Sequence, residues 1–158
     1  MPKVNVLNGR EIKRLKERME KDFGYFLEGN YAYLRNEGDN IFVVSKDLAR
    51  LDLNHLIIDK IGLYFAEAKD EQVRLSKEGA QLLALEARKK RKTLKNALSL
   101  TEEEVKNYFQ GKYIVKDCGT ENRSVLLCYK EQVLGFAKYK DGKIINFLPK
   151  IHRGEVIL

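Results

Sequence analysis

The sequence predicts an α+β fold in two units. An α/β unit spans residues 1–95, and a small β-barrel carrying one helix follows over residues 96–158. Three observations lead there. Capping-box spacings open helices at Asn8 and Thr101. Short apolar runs of near-strand period, cut by Gly- and Asn-rich turns, fill most of the remainder. Five consecutive cations, Arg88 to Lys92, with Lys95 close behind, mark the boundary between the units.

In the first unit, Asn8-Gly9-Arg10-Glu11 sets Asn8 as N-cap and Glu11 at the third helical position. Ile12, Leu15, Met19 and Phe23 recur on one face, and Gly24 stops the helix. The opposite face, with Lys13, Arg14, Glu17, Arg18 and Lys21, reads as solvated. Three strands are expected at Tyr25–Leu27, Tyr31–Leu34 and Ile41–Val44, separated by Glu28-Gly29-Asn30 and by Asn36 to Asn40. Ser45 caps a short helix through Leu51, and Ile57-Ile58 begins an extended segment. Gly62–Ala68 and Gln72–Leu75 form a strand pair around Lys69-Asp70-Glu71. Ser76 then caps a helix with Ala80, Leu83, Ala84 and Ala87 on one side. Tyr25, Tyr31, Tyr33 and Tyr64 read as half-buried packing.

The second unit begins at Thr101-Glu102-Glu103-Glu104, where Leu100 staples onto Val105 and Gly111 ends the helix. Strands are expected at Tyr113–Val115, Ser124–Tyr129, Val133–Tyr139, Lys143–Phe147 and Gly154–Leu158. Asp141-Gly142 is a tight hairpin signal. A barrel of such strands hides its edges.

Composition sets the functional classes. The chain has 158 residues, 44% hydrophobic and 34% charged, with a net charge of +7, a globular balance biased toward polyanionic partners. Met1 to Arg18 is rich in cations with no apolar segment behind it, so no export signal is expected. No stretch approaches a membrane span. Cys118 and Cys128 fit neither a disulfide framework nor a metal site, and a cytoplasmic location is expected. His55 and His152 lie far apart without further ligands, so no metal is expected. In the last third, Lys138, Lys143, Lys150 and Arg153 surround one hairpin whose only acid, Asp141, is in the turn. That pattern suits a phosphate backbone.

Residues from about 100 to 158 resemble the PUA-type RNA-binding domain that ends the Nop/Sun-type, RsmF-like RNA cytosine-5 methyltransferases. The likeness rests on Leu100-Thr101-Glu102-Glu103-Glu104-Val105 with Tyr108 and Gly111. It continues in Leu134-Gly135-Phe136-Ala137-Lys138, then in Asn146-Phe147-Leu148-Pro149-Lys150 with Arg153. Ala137 stands where that family usually has a second glycine, and Ile145 where it often has lysine. The upstream half resembles the pre-PUA segment of the same enzymes through Gly62, Tyr64, Phe65, Val73-Arg74-Leu75 and Leu82-Leu83-Ala84. The same pairing occurs in a small family of ribosome-biogenesis proteins. The resemblance implies a pre-PUA-like unit over 1–95 and a PUA-type unit over 96–158.

Those methyltransferases need a glycine-rich cofactor loop and a cysteine beside proline. No G-x-G-x-x-G follows a strand here, and neither cysteine adjoins a proline. The expectation is a non-catalytic protein without cofactor that binds structured rRNA or tRNA. It would serve ribosome biogenesis, or supply RNA binding to a modification system, with an RNA methyltransferase or pre-ribosomal proteins as further partners. The expected RNA contacts are Lys89, Lys90, Arg91, Lys92, Gly135, Lys138, Lys150, His152 and Arg153. Gly135 would allow close backbone approach, and the cations would neutralise phosphates. The competing reading is a protein-interaction adaptor that docks through an apolar patch at Phe147, Leu148 and Ile151.

Overall fold

The computed structural model describes residues 4–49 and 62–154. The expected extended segment at Ile57-Ile58, the end of the helix after Ser45, His55, and the last strand beyond Gly154 lie outside the described residues.

The first strand, β1 (Val4–Val6), leads into helix α1 (Gly9–Phe23). Asn8 Oδ1 accepts the Glu11 N–H at 3.0 Å, and a Glu11 carboxylate oxygen accepts the Asn8 N–H at 2.9 Å, so both halves of the capping box form. Leu15, Met19 and Phe23 are buried along one face, as their spacing requires. Strands β2 (Tyr31–Asn36) and β3 (Asn40–Ser45) pair across a turn in which Asn36 Oδ1 accepts the N–H groups of Gly38 and Asn40. A short α2 (Lys46–Ala49) follows. Then come β4 (Leu63–Lys69), β5 (Gln72–Leu75) and α3 (Lys77–Lys89), the last capped by the Ser76 hydroxyl. These five strands form an antiparallel sheet in the order β1-β2-β3-β4-β5.

The expected strand at Tyr25–Leu27 is not one. Both edges of β2 are occupied, by β1 and β3. Tyr25, Phe26 and Leu27 are instead buried consecutively, which alternation across a strand with one buried face does not permit. Tyr25 and Tyr33 are buried, whereas Tyr64 is partly exposed.

The second unit opens with β6 (Ala97–Ser99), a strand not among those expected from the sequence, and α4 (Glu102–Phe109). The Thr101–Glu104 capping box is complete, and Leu100 and Val105 share one core cluster. Strands β7 (Ile114–Val115), β8 (Arg123–Tyr129), β9 (Gln132–Lys140) and β10 (Lys143–Asn146) complete a curled half-barrel in the order β6-β8-β9-β10-β7. The β6–β8 pairing is parallel and the others are antiparallel. Asp141 and Gly142, at φ 51° and 79°, make the tight turn between β9 and β10.

The units share a core. Leu126 and Phe136, on one face of the second sheet, cluster with Phe23, Leu83 and Ala87 of the first unit. The Phe23 and Phe136 rings meet edge to face at 6.3 Å. The chain between the units is held down along α1. Lys95 N–H donates to Phe23 O, the Asn96 amide donates to Asp22 O, and Arg123 Nε donates to Asn96 Oδ1. Among the described residues no helix is long and apolar enough to cross a membrane.

Candidate nucleic-acid interface

Strand register decides what the second sheet shows to solvent. Ala137, Tyr139 and Ile144 point into the half-barrel core, so their neighbours Phe136, Lys138, Lys140, Lys143 and Ile145 take the other face. At one end of that face, Phe136 and Leu126 pack on the first unit. At the other end it is open. Lys140 lies directly opposite Lys143, and Lys138 directly opposite Ile145. Like charges set opposite one another on adjacent strands destabilise the pair by roughly 0.2–1 kcal/mol. Among the described residues none of these three lysines has a carboxylate within ion-pair distance. Lys138 nonetheless sits close enough to Asp22 to favour its charged form, together with Arg18 and Lys21. Burial outweighs all three and leaves the Asp22 carboxyl above its ordinary range.

Further along the same face, Phe147 stacks on Phe136 with ring centroids 6.0 Å apart. The Arg74 guanidinium lies over Phe147 at 4.6 Å from its centroid. A cleft of about 250 Å³ opens there between the units, lined by Tyr64, Arg74, Lys77, Glu78, Phe147 and His152 among others.

The expected site residues fall into separate groups. Lys138 is on the open sheet face. Lys150 and His152 belong to a 3₁₀ turn (Lys150–His152), not to a strand, with Pro149 ahead of it. Lys150 is exposed. The His152 ring nitrogens lie 3.3 Å from Lys77 Nζ and 3.9 Å from a Glu78 carboxylate oxygen, so the imidazole is placed between two side chains of α3. Arg153 Nε donates to Leu148 O at 3.0 Å and the side chain lies against Gly111. Lys89, Lys90, Arg91 and Lys92 gather at the opposite end of α3. Lys89 pairs with Glu86 at 3.7 Å, and neighbouring Arg88 pairs with Glu131 in the β8–β9 turn at 3.4 Å. Arg91 takes φ 54°, and Lys92 N–H donates to Ala87 O, which closes the helix end. A helix the length of α3 separates this group from His152 by roughly 18 Å. The basic run and the turn that carries Lys150 and His152 therefore lie at opposite ends of α3.

Gly135 has a different reason for being small than the one expected. A Cβ there would lie 2.3 Å from the Tyr108 hydroxyl oxygen, so the residue makes room for a buried ring of α4 and not for a ligand. Of the apolar patch expected for an adaptor, two of the three residues are described. Leu148 is buried and Phe147 lies beneath Arg74; the Ile151 side chain is outside the described residues.

Arg74, Lys77 and Lys140 were not anticipated as site residues. The Lys140–Lys143 opposition was available in the sequence, because a two-residue turn at Asp141-Gly142 fixes its flanking residues as partners. The position of Arg74 over Phe147 depends on how the two units meet, and carries no local signal.

Residues 95–153 match the family described as the methyltransferase RsmF PUA domain. The second unit resembles the PUA domains of RsmF-type and Nop-type RNA methyltransferases. The match supports RNA binding in an RNA-methyltransferase context. Among curated proteins none matches the chain.

Within the second unit the two thiols are not activated. Burial pushes the Cys128 thiol up. It also raises that of Cys118, although Lys116 and Arg123 pull the other way.

Proposed function

We propose that this protein binds structured RNA, of the rRNA or tRNA kind, without altering it chemically. It would serve ribosome biogenesis or an RNA-modification system in the cytoplasm, alongside a separate methyltransferase. The observation that carries this reading is the Lys140–Lys143 opposition with Lys138 beside it. An electrostatically unfavourable cluster on an open sheet face is relieved by an anion, and a phosphate backbone supplies a row of them. Arg74 over Phe147 and the exposed Lys150 extend the cationic surface past Pro149. Backbone neutralisation of this kind positions the protein on a folded RNA by shape and 2′-hydroxyls, with little dependence on sequence.

Affinity for a folded RNA, measured across salt concentrations, tests the reading. Each phosphate contact contributes roughly −0.7 to −0.9 to the log–log slope. Lys138→Glu with Lys143→Glu should abolish most binding, and a flat salt plot for the unaltered protein would overturn the proposal. Binding of S-adenosylmethionine by the chain would overturn its non-catalytic part.

A further inference from the structure

The open sheet face carries more than lysines. Tyr113 and Val115 are large apolar residues left 65% and 79% exposed. Val115 lies directly opposite Lys143, and Ile144 opposite Ile114. One more residue along this register brings Tyr113 beside Ile145. The Asn146 amide, which donates to Lys112 O at 3.3 Å, holds the chain in that alignment. The face therefore reads as two rows across three chain segments, Lys140–Lys143–Val115 and Lys138–Ile145–Tyr113.

We infer that Tyr113 is a stacking platform for an unpaired nucleotide of the bound RNA, with Lys138 and Lys143 holding its flanking phosphates. This rests on the RNA-binding reading and specifies what the site takes. Two inter-strand spacings put Tyr113 roughly 10 Å from Lys138, a span that one nucleotide bridges between base and phosphate. An exposed phenol ring offers a base its flat face, and such stacking tolerates any base. In a duplex the base faces are covered by their neighbours, so only a loop, bulge or end can use the ring. Charge favours RNA over a protein partner on this face. The ring and Val115 share their rows with Lys138, Lys140 and Lys143. Asp141 is held by the Asn122 amide in the turn, and Asp22, close to Lys138, is a partly buried carboxyl of α1 that Arg18 and Lys21 also face.

The test compares a blunt RNA duplex with the same duplex carrying a short unpaired overhang, by fluorescence anisotropy with the full chain. The overhang should tighten binding. Tyr113→Ala should weaken the overhang complex by about 5- to 150-fold and leave duplex affinity and the salt slope unchanged, while Tyr113→Phe keeps the preference. Equal affinity for the two RNAs, or equal loss on both in Tyr113→Ala, overturns the stacking assignment while salt-dependent duplex binding keeps the RNA reading standing. Failure to bind either RNA overturns both, and binding of a protein partner lost in Tyr113→Ala would then assign the face to protein docking.

Discussion

The hydroxyl of Tyr108 occupies the space that a side chain on Gly135 would need, leaving no room for a Cβ beside that oxygen. The Tyr108 ring is fully buried between α4 and the sheet, so it cannot swing aside freely. Gly135→Ala should therefore lower stability by about 1–3 kcal/mol through overpacking. Combining it with Tyr108→Phe should recover part of the loss, because the phenylalanine ring ends where the clash begins. Urea denaturation of the two single variants and the double variant measures that coupling. Strict additivity would show that the two residues do not meet.

The same tyrosine governs behaviour in alkali. Burial, helped by Glu78, pushes the Tyr108 phenol up to about 12 from an ordinary value near 10. A raised folded value means that the native state holds its proton longer than the unfolded chain. Its contribution is complete below pH 10 and is lost as pH rises from 10 toward 12, at about 1.4 kcal/mol per pH unit. Denaturation midpoints of the native protein should thus fall more steeply above pH 10 than those of Tyr108→Phe.

Lys143→Thr should separate stability from binding. Removing one of two directly opposed lysines stabilises the free protein by a few tenths of a kcal/mol, up to about 1. It also removes one phosphate contact, so the salt slope of RNA affinity should shrink by roughly one unit. A melting temperature that drops, or an unchanged slope, would contradict the role given to this pair.

Thr101→Ala should lower stability by about 1 kcal/mol, since the Thr101 hydroxyl accepts the Glu104 N–H at 3.2 Å. Glu104→Ala should cost more. That carboxylate also accepts from Thr101 N–H and pairs with Lys116 at 3.1 Å, joining the start of α4 to the segment after β7. Thermal melts followed by circular dichroism would rank the two variants.

Much of the fold was legible where chemistry is local. Asn8 with Glu11, Thr101 with Glu104, and Asp141-Gly142 each form a device whose partners lie within a few residues, and each forms as its spacing requires. What stayed hidden depends on distant chain. β6 exists only because Ala97–Ser99 lies parallel to Leu126–Cys128, and nothing in Ala97-Leu98-Ser99 announces that partner. β1 is too short for a period to show, yet it took the place beside β2 that Tyr25–Leu27 was expected to fill. In the site, Lys138 and Lys143 could be read from the hairpin. The meaning of Gly135 could not, because its neighbour Tyr108 comes from another element. The placement of Lys89–Lys92 and His152 at opposite ends of α3 likewise depends on how the two units meet.

The placement of Leu126 and Phe136 among first-unit side chains bears on how the protein can be handled. Severing the polypeptide near residue 95 would strip the cover from those two side chains and from Phe147. A recombinant fragment starting at Asn96 should then come out of expression as sticky, poorly soluble material, while the uncut chain melts in one cooperative step. A grafting experiment that borrows only the half-barrel should carry polar replacements at those positions, or it will inherit an oily flank along with the lysines.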